Sequence, residues 1–207
     1  MYTSLIQRTD RFRFLSARKL GAWFCLVVGG CIVVAAVLGA GSVSAADLSR
    51  HERLFLRHAA EGGNAELEAS KLVATKTADP AVKKFAQAVA ADQQSIVAEL
   101  RQLALAKDVK LPDEPSKMQQ ASIAKLAKLD GARFDKEYSR EIGVLAHKDS
   151  VALFQQAQKK AKDADVKAFA SKTLPLLEQE LKMGQLLKMA VDKNKVQSSP
   201  MLHDVVD

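Results

Sequence analysis

The stretch 110-KLPDEPSKMQQASIAKLAKLDG-131 decides how this chain folds. Pro112 and Pro115 fall within six residues, and each removes a backbone donor and crowds the turn before it. No helix continues through them. Ser116 followed by Gln119 can then cap a short helix through Leu126 and Leu129, which ends near Asp130-Gly131. The segment is too long for a tight turn and reads as a crossover between two pairs of helices.

Outward from it the periodicity is helical throughout, and nothing alternates like a strand. Ser49-Arg50-His51-Glu52 opens helix one as a capping box, with Phe55, Ala59, Gly62, Ala69 and Val73 along its apolar stripe. Asp79-Pro80 supplies an N-cap and a first-turn proline for helix two, whose face carries Val82, Phe85, Ala86, Val89, Ile96, Leu100 and Leu103. Helix three spans about 132–161, with Phe134, Tyr138, Val144, Val151 and Phe154 inward. Asp163 caps helix four, in which Pro175 should introduce a kink. The short turns near Asp79 and Asp163 make two antiparallel hairpins. The expected fold is all-α, a ferritin-like antiparallel four-helix bundle over residues 47–191 whose crossover holds a short extra helix, followed by a polar tail over 192–207.

Residues 1–46 have a different character. Arg8, Arg11, Arg13, Arg18 and Lys19 precede an apolar run from Ala22 to Ala40, and small residues follow at Val43-Ser44-Ala45-Ala46. This is the pattern of a secretory signal peptide. The run also approaches the length of a membrane span, so a retained inner-membrane anchor is the alternative. Either places the body in the periplasm or otherwise outside the cytoplasm. Without the leader the net charge falls from +7 to +3, which argues against nucleic acid as a partner. Cys25, Cys31 and the single Trp23 all lie in the leader, so the body has no disulfide and no thiolate chemistry. About 160 residues remain, enough for one core.

Four polar residues interrupt the apolar stripes: Glu66, Gln93, His147 and Glu180. Each keeps the spacing of its helix's buried face. Glu66 and Gln93 are nearly equidistant from the first turn, as are His147 and Glu180 from the second, with a mismatch of roughly 3 Å or less at about 1.5 Å rise per residue. They can form one layer across the bundle. Two carboxylates and one imidazolium leave that layer one charge short of neutrality, and uncompensated buried charge is costly. A hydrogen-bonded network with water is the leading reading. A mononuclear site for manganese, iron or zinc, with Gln93 adding an amide oxygen, comes next, and a small-ligand pocket third. A di-iron centre is disfavoured, because the Glu-x-x-His spacing is missing: position 144 is Val and position 90 is Ala. His51 and His58 share a face of helix one at the solvent boundary, and His203 lies in the tail. Gly62-Gly63 inside a helix implies a close approach of another helix beside Glu66. No Ser-His-Asp triad or phosphate loop can be placed, and no catalytic residue is assigned.

Several stretches together carry a resemblance: Gly62-Gly63-Asn64-Ala65-Glu66, Val82-Lys83-Lys84-Phe85-Ala86, Phe134-Asp135-Lys136-Glu137-Tyr138, His147 with Val151-Ala152-Leu153-Phe154, and Phe169-Ala170-Ser171-Lys172-Thr173-Leu174-Pro175. In order and spacing the chain resembles the domain-of-unknown-function 4142 family, ferritin-like bacterial proteins of the exported or outer-membrane class. The resemblance implies an exported cell-envelope protein without a settled activity, loosely associated with stress or envelope maintenance. Its partner would be an unidentified envelope component, and it would meet the membrane only through an uncleaved leader. Members usually carry His where this chain has Gln93 and Glu180, so only His147 keeps the family pattern.

Overall fold

The structure, a computed structural model, describes residues 47–197, with side chains to Asn194. The leader, its cleavage point and His203 lie outside the described residues. Helix α1 spans Arg50–Lys76, α2 Pro80–Ala106, and the short α3 Lys117–Leu126. The third rod comprises α4 (Gly131–Arg140), a π-helical turn (Glu141–Ala146) and α5 (His147–Lys160). The fourth is α6, Ala164–Gln197.

The helix starts follow the local chemistry. Ser49 and Glu52 form the expected capping box, as do Ser116 and Gln119. The Asp79 carboxylate accepts from the amides of Ala81 and Val82, and that of Asp163 from Asp165 and Val166. Pro175 lies within an α6 that continues through it. That helix also runs to Gln197, past Asp192 where the polar tail was placed. A buried Val191 and an ion pair between Lys188 and Asp192 at 2.6 Å, one turn apart, carry the helix onward.

The ends of the rods give the topology. Lys107 at the end of α2 pairs with Asp163 at 2.7 Å, at the α5–α6 turn. Lys76 at the end of α1 pairs with Asp130 at 3.1 Å, just before α4. The crossover therefore leaves one end of the bundle and re-enters at the other, so α2 and the third rod run parallel. Asn64 holds it midway, donating to the Pro112 carbonyl at 3.2 Å.

The apolar interior comes in two clusters. Around Phe55, Leu100, Phe154 and Phe169 lies one; around Val82, Phe85, Phe134 and Tyr138 lies the other. Each buried aliphatic or aromatic side chain contributes about 1.5–3 kcal/mol. Glu66, Gln93, His147 and Glu180 occupy the gap between the clusters in all four rods.

One departure affects the site. Helix three is not a uniform α-helix. Its buried stripe runs Phe134, Tyr138, Ile142, His147, Val151, Phe154, with a five-residue step from Ile142 to His147. Val144, expected inward, is only half-buried, and Ile142 and Gly143 take the interior instead. Nine α-helical residues from Tyr138 to His147 would put the two on opposite faces, about 180° apart. The π turn supplies the missing rotation.

At the far end of the bundle Glu52 ties the start of α1 to the α5–α6 turn. One carboxylate oxygen accepts from the amides of Lys162 and Asp163, both at 2.8 Å, and the other from the Ser49 amide at 2.8 Å. Burial pushes this carboxyl up, but the hydrogen bonds from Asp163, Ser49 and Lys162 outweigh it and hold the pKa at about 2, against 4.5 ordinarily. A depressed acid stabilises the fold above its unfolded pKa, and the contribution fades as pH falls from about 5 toward 2. Glu52→Ala should cost about 2–3 kcal/mol at pH 7 and clearly less near pH 2. Urea unfolding of both proteins at the two pH values measures this; an equal difference at both would remove the assigned role.

Candidate metal centre

Glu66 is 1% exposed, and His147 and Glu180 are fully buried. The imidazole is fixed from one side: Nδ1 donates to the Ile142 carbonyl at 2.7 Å, since a carbonyl can only accept. Nε2 therefore faces the other way, 3.7 Å from Glu66 Oε2 and 3.7 Å from Glu180 Oε2. Each of the three residues offers a donor atom within 4.8 Å of the others, the only such group of His, Cys, Asp or Glu among the described residues. The Phe85 ring stands beside the imidazole, its centroid 5.8 Å away.

Satisfaction within the layer is uneven. Glu66 Oε2 accepts from Gln93 Nε2 at 2.6 Å, and Oε1 from Ser150 Oγ at 3.4 Å. His147 Nε2 and both oxygens of Glu180 have no hydrogen-bond partner among the described residues. The four side chains thus do not close into a network through direct hydrogen bonds alone. The 3.7 Å separations are too long for direct bonds, and the Gln93 amide donates to Glu66 rather than to Glu180.

Glycines bring the rods this close. A Cβ on Gly63 would lie 2.5 Å from Val97 Cγ2 and 3.2 Å from Gln93 Oε1, so α1 and α2 meet tightly beside Glu66. Gly62, in contrast, makes only an ordinary contact at 3.8 Å with Ser150 Oγ. In the second hairpin Gly143 lies directly on Gly184: a Cβ on Gly143 would be 3.3 Å from the Gly184 Cα, and one on Gly184 would fall inside the Gly143 carbonyl. Glu180 is one turn before Gly184 and His147 one turn after Gly143, so this contact sets the two donors face to face.

All four sequence-predicted residues therefore meet at one level. Gln93 joins through its amide nitrogen, with its oxygen toward Gly63, so it holds Glu66 rather than acting as a fourth ligand. Sequence reading missed Ser150, the Ile142 carbonyl and the Gly143–Gly184 contact. The nine-residue gap between Tyr138 and His147 was the available signal, because two inward residues so spaced cannot share one α-helical face. His51 and His58 are exposed, and His58 pairs with Glu61 at 3.1 Å. Surface grooves lie elsewhere: one of about 410 Å³ beside the start of α1 and one of about 390 Å³ along α1 and α2, neither lined by the four residues.

The donors fit a single divalent cation. Tetrahedral bonds of about 2.1 Å keep neighbouring ligand atoms about 3.4 Å apart, a few tenths of an ångström less than the two separations from His147 Nε2, while the two carboxylates lie within 4.8 Å of each other. Two carboxylates neutralise a doubly charged ion, and a neutral imidazole leaves the balance intact. A nitrogen among the ligands suits zinc, manganese or iron better than calcium.

A family model described as "Domain of unknown function (DUF4142)" matches residues 38–187. Comparison with curated proteins gives no match. Among solved structures the chain is similar to a Bacillus halodurans protein named as a candidate spore coat protein. The identity is 17% and the TM-score 0.54, over 74% of this chain and 92% of that one. Likeness at that identity speaks for the fold.

Electrostatics make the metal-free layer costly. Burial pushes the Glu180 carboxyl up to about 9, with the negative Glu66 and Asp92 adding to the rise. Burial also raises Glu66, opposed by His147 and by the hydrogen bonds from Ser150 and Gln93. An acid whose folded pKa lies above its unfolded value holds its proton more tightly when folded, so stability falls as pH rises between the two. The metal-free protein should lose stability from about pH 4.5 toward pH 9, and Glu180→Gln should flatten that slope. Thermal unfolding in chelator across this range provides the check; identical slopes would show that Glu180 does not titrate there.

Proposed function

Since the chain belongs to the DUF4142 family, whose description assigns no activity, we propose that it is an exported cell-envelope bundle protein that binds one divalent transition metal through Glu66, His147 and Glu180. The observation that carries the metal reading is the set of buried donors without hydrogen-bond partners among the described residues, His147 Nε2 and both Glu180 oxygens, one of which lies 3.7 Å from Nε2. An ion there would neutralise the two carboxylates and give the layer the bonds that its own side chains do not. Zinc, manganese or iron is the chemical class. No reaction is assigned, and a structural or metal-holding role in the envelope is the reading adopted.

Export rests on the leader, with its basic start, apolar run and small residues before Asp47. The body is then periplasmic, or held at the inner membrane by an uncleaved leader, and its partner is an envelope component rather than nucleic acid. No described helix is long and apolar enough to cross a membrane. The name of the Bacillus halodurans neighbour is compatible with a surface-layer role. The single long crossover between two hairpins supports the ferritin-like description.

Protein purified without chelator and analysed for elements should carry about one metal per chain, lost in His147→Ala. At a free metal concentration of about 100 times Kd, binding should add about 2.7 kcal/mol to stability. Glu180→Leu should abolish that gain while stabilising the metal-free protein by about 1–3 kcal/mol, because a buried unpaired acid is removed. Metal-free protein whose melting temperature ignores added zinc, manganese and iron would end the metal reading.

A further inference from the structure

We propose that the π turn Glu141–Ala146 is a one-residue insertion in an otherwise α-helical rod, and that it makes the Ile142 carbonyl a positioning group that fixes His147 as a metal ligand. This rests on the reading of Glu66, His147 and Glu180 as a cation site.

The register shows the insertion. Buried residues step by four from Phe134 to Tyr138 and from Tyr138 to Ile142, by five to His147, then by four to Val151 and three to Phe154. Taking one residue from between Ile142 and His147 leaves an uninterrupted α-helical stripe. The sequence on both sides is thus written for an ordinary amphipathic helix with one residue too many. Single-turn π segments inside α-helices are rare and frequently lie at functional sites.

The ring's hydrogen bond shows what the extra residue does. In a regular helix the Ile142 carbonyl would accept the amide of Ala146, four residues on. In this structure His147 Nδ1 lies 2.7 Å from that carbonyl, a bond across five residues from ring to backbone. It fixes the tautomer: the proton stays on Nδ1, and the Nε2 lone pair points between Glu66 and Glu180. A ring flip would break this bond, and the fully buried imidazole has no other hydrogen-bond partner among the described residues. Metal-binding histidines are commonly oriented in this way by a carbonyl on the second nitrogen, and loss of such a partner lowers metal affinity about 10- to 100-fold. Gly143 in the same turn lies on Gly184, so the insertion and the approach of Glu180 belong to one device.

Leu145 is the part-exposed residue of the turn, at 40% exposure, and is the one to remove. Nitrogen NMR of the full chain in chelator at neutral pH should show His147 with its proton on Nδ1. The chain with Leu145 deleted should fold with unchanged or higher melting temperature, lose that tautomer preference, and bind zinc about 10- to 100-fold more weakly. Leu145→Ala, which keeps the residue count, should retain the parent's tautomer and zinc affinity. A parent His147 protonated on Nε2, or a deletion variant that binds zinc as the parent does, overturns the proposal. A deletion variant that cannot fold also counts against it, because an in-register α-helix predicts a folded chain. If the parent takes no zinc at all, the cation reading of the layer fails, and the tautomer measurement alone then decides the role of the turn.

Discussion

Two carboxylates and an imidazole at the axis of a helical bundle, cut off from water, dominate the energetics of this protein. Bringing such groups out of water costs several kcal/mol each unless bonds or opposite charge offset it. The chain offsets part of that cost: Gln93 and Ser150 serve Glu66, and Ile142 serves one side of His147. Glu180 has no such partner among the described residues. That imbalance leaves a buried acid beside His147 whose cost a cation bound there, as proposed, would offset.

The rest of the fold serves this level. Apolar clusters close the bundle above and below it, and small residues let the rods approach: Gly63 against α2, Gly143 against Gly184. The ends are tied by charge, through Glu52 and Lys107 at one and Lys76 with Asp130 at the other. The packing that would normally run through the middle of a four-helix bundle is thereby interrupted without loss of alignment.

Much of this was legible in the residues. Capping boxes at Ser49 and Ser116, the Asp79-Pro80 start and the paired prolines of the crossover marked the elements, because these signals act within a few residues of chain. The four polar positions were legible for the same reason, since each is out of character with its own stripe. What stayed hidden depends on contacts between rods. Gln93 looked like a ligand because its side chain offers an oxygen, but which end faces Glu66 follows only from where Gly63 lets the helices meet. Val144 looked inward because α-helical phase was carried through a turn that is not α-helical. The role of Gly184 was out of reach, since its partner lies 41 residues away on another rod.

The two halves of the donor set sit on different hairpins, Glu66 with Gln93 on the first and His147 with Glu180 on the second. A cation held between them, as proposed, would act as a rivet across the docking seam, and all four side chains there are buried. Loading and release then require the hairpins to breathe apart, so turnover of the ion follows bundle opening rather than the strength of its bonds. Such a centre would be kinetically inert: slow to fill in the finished protein, slow to empty in a scavenging environment, and most readily charged while the second hairpin is still settling onto the first.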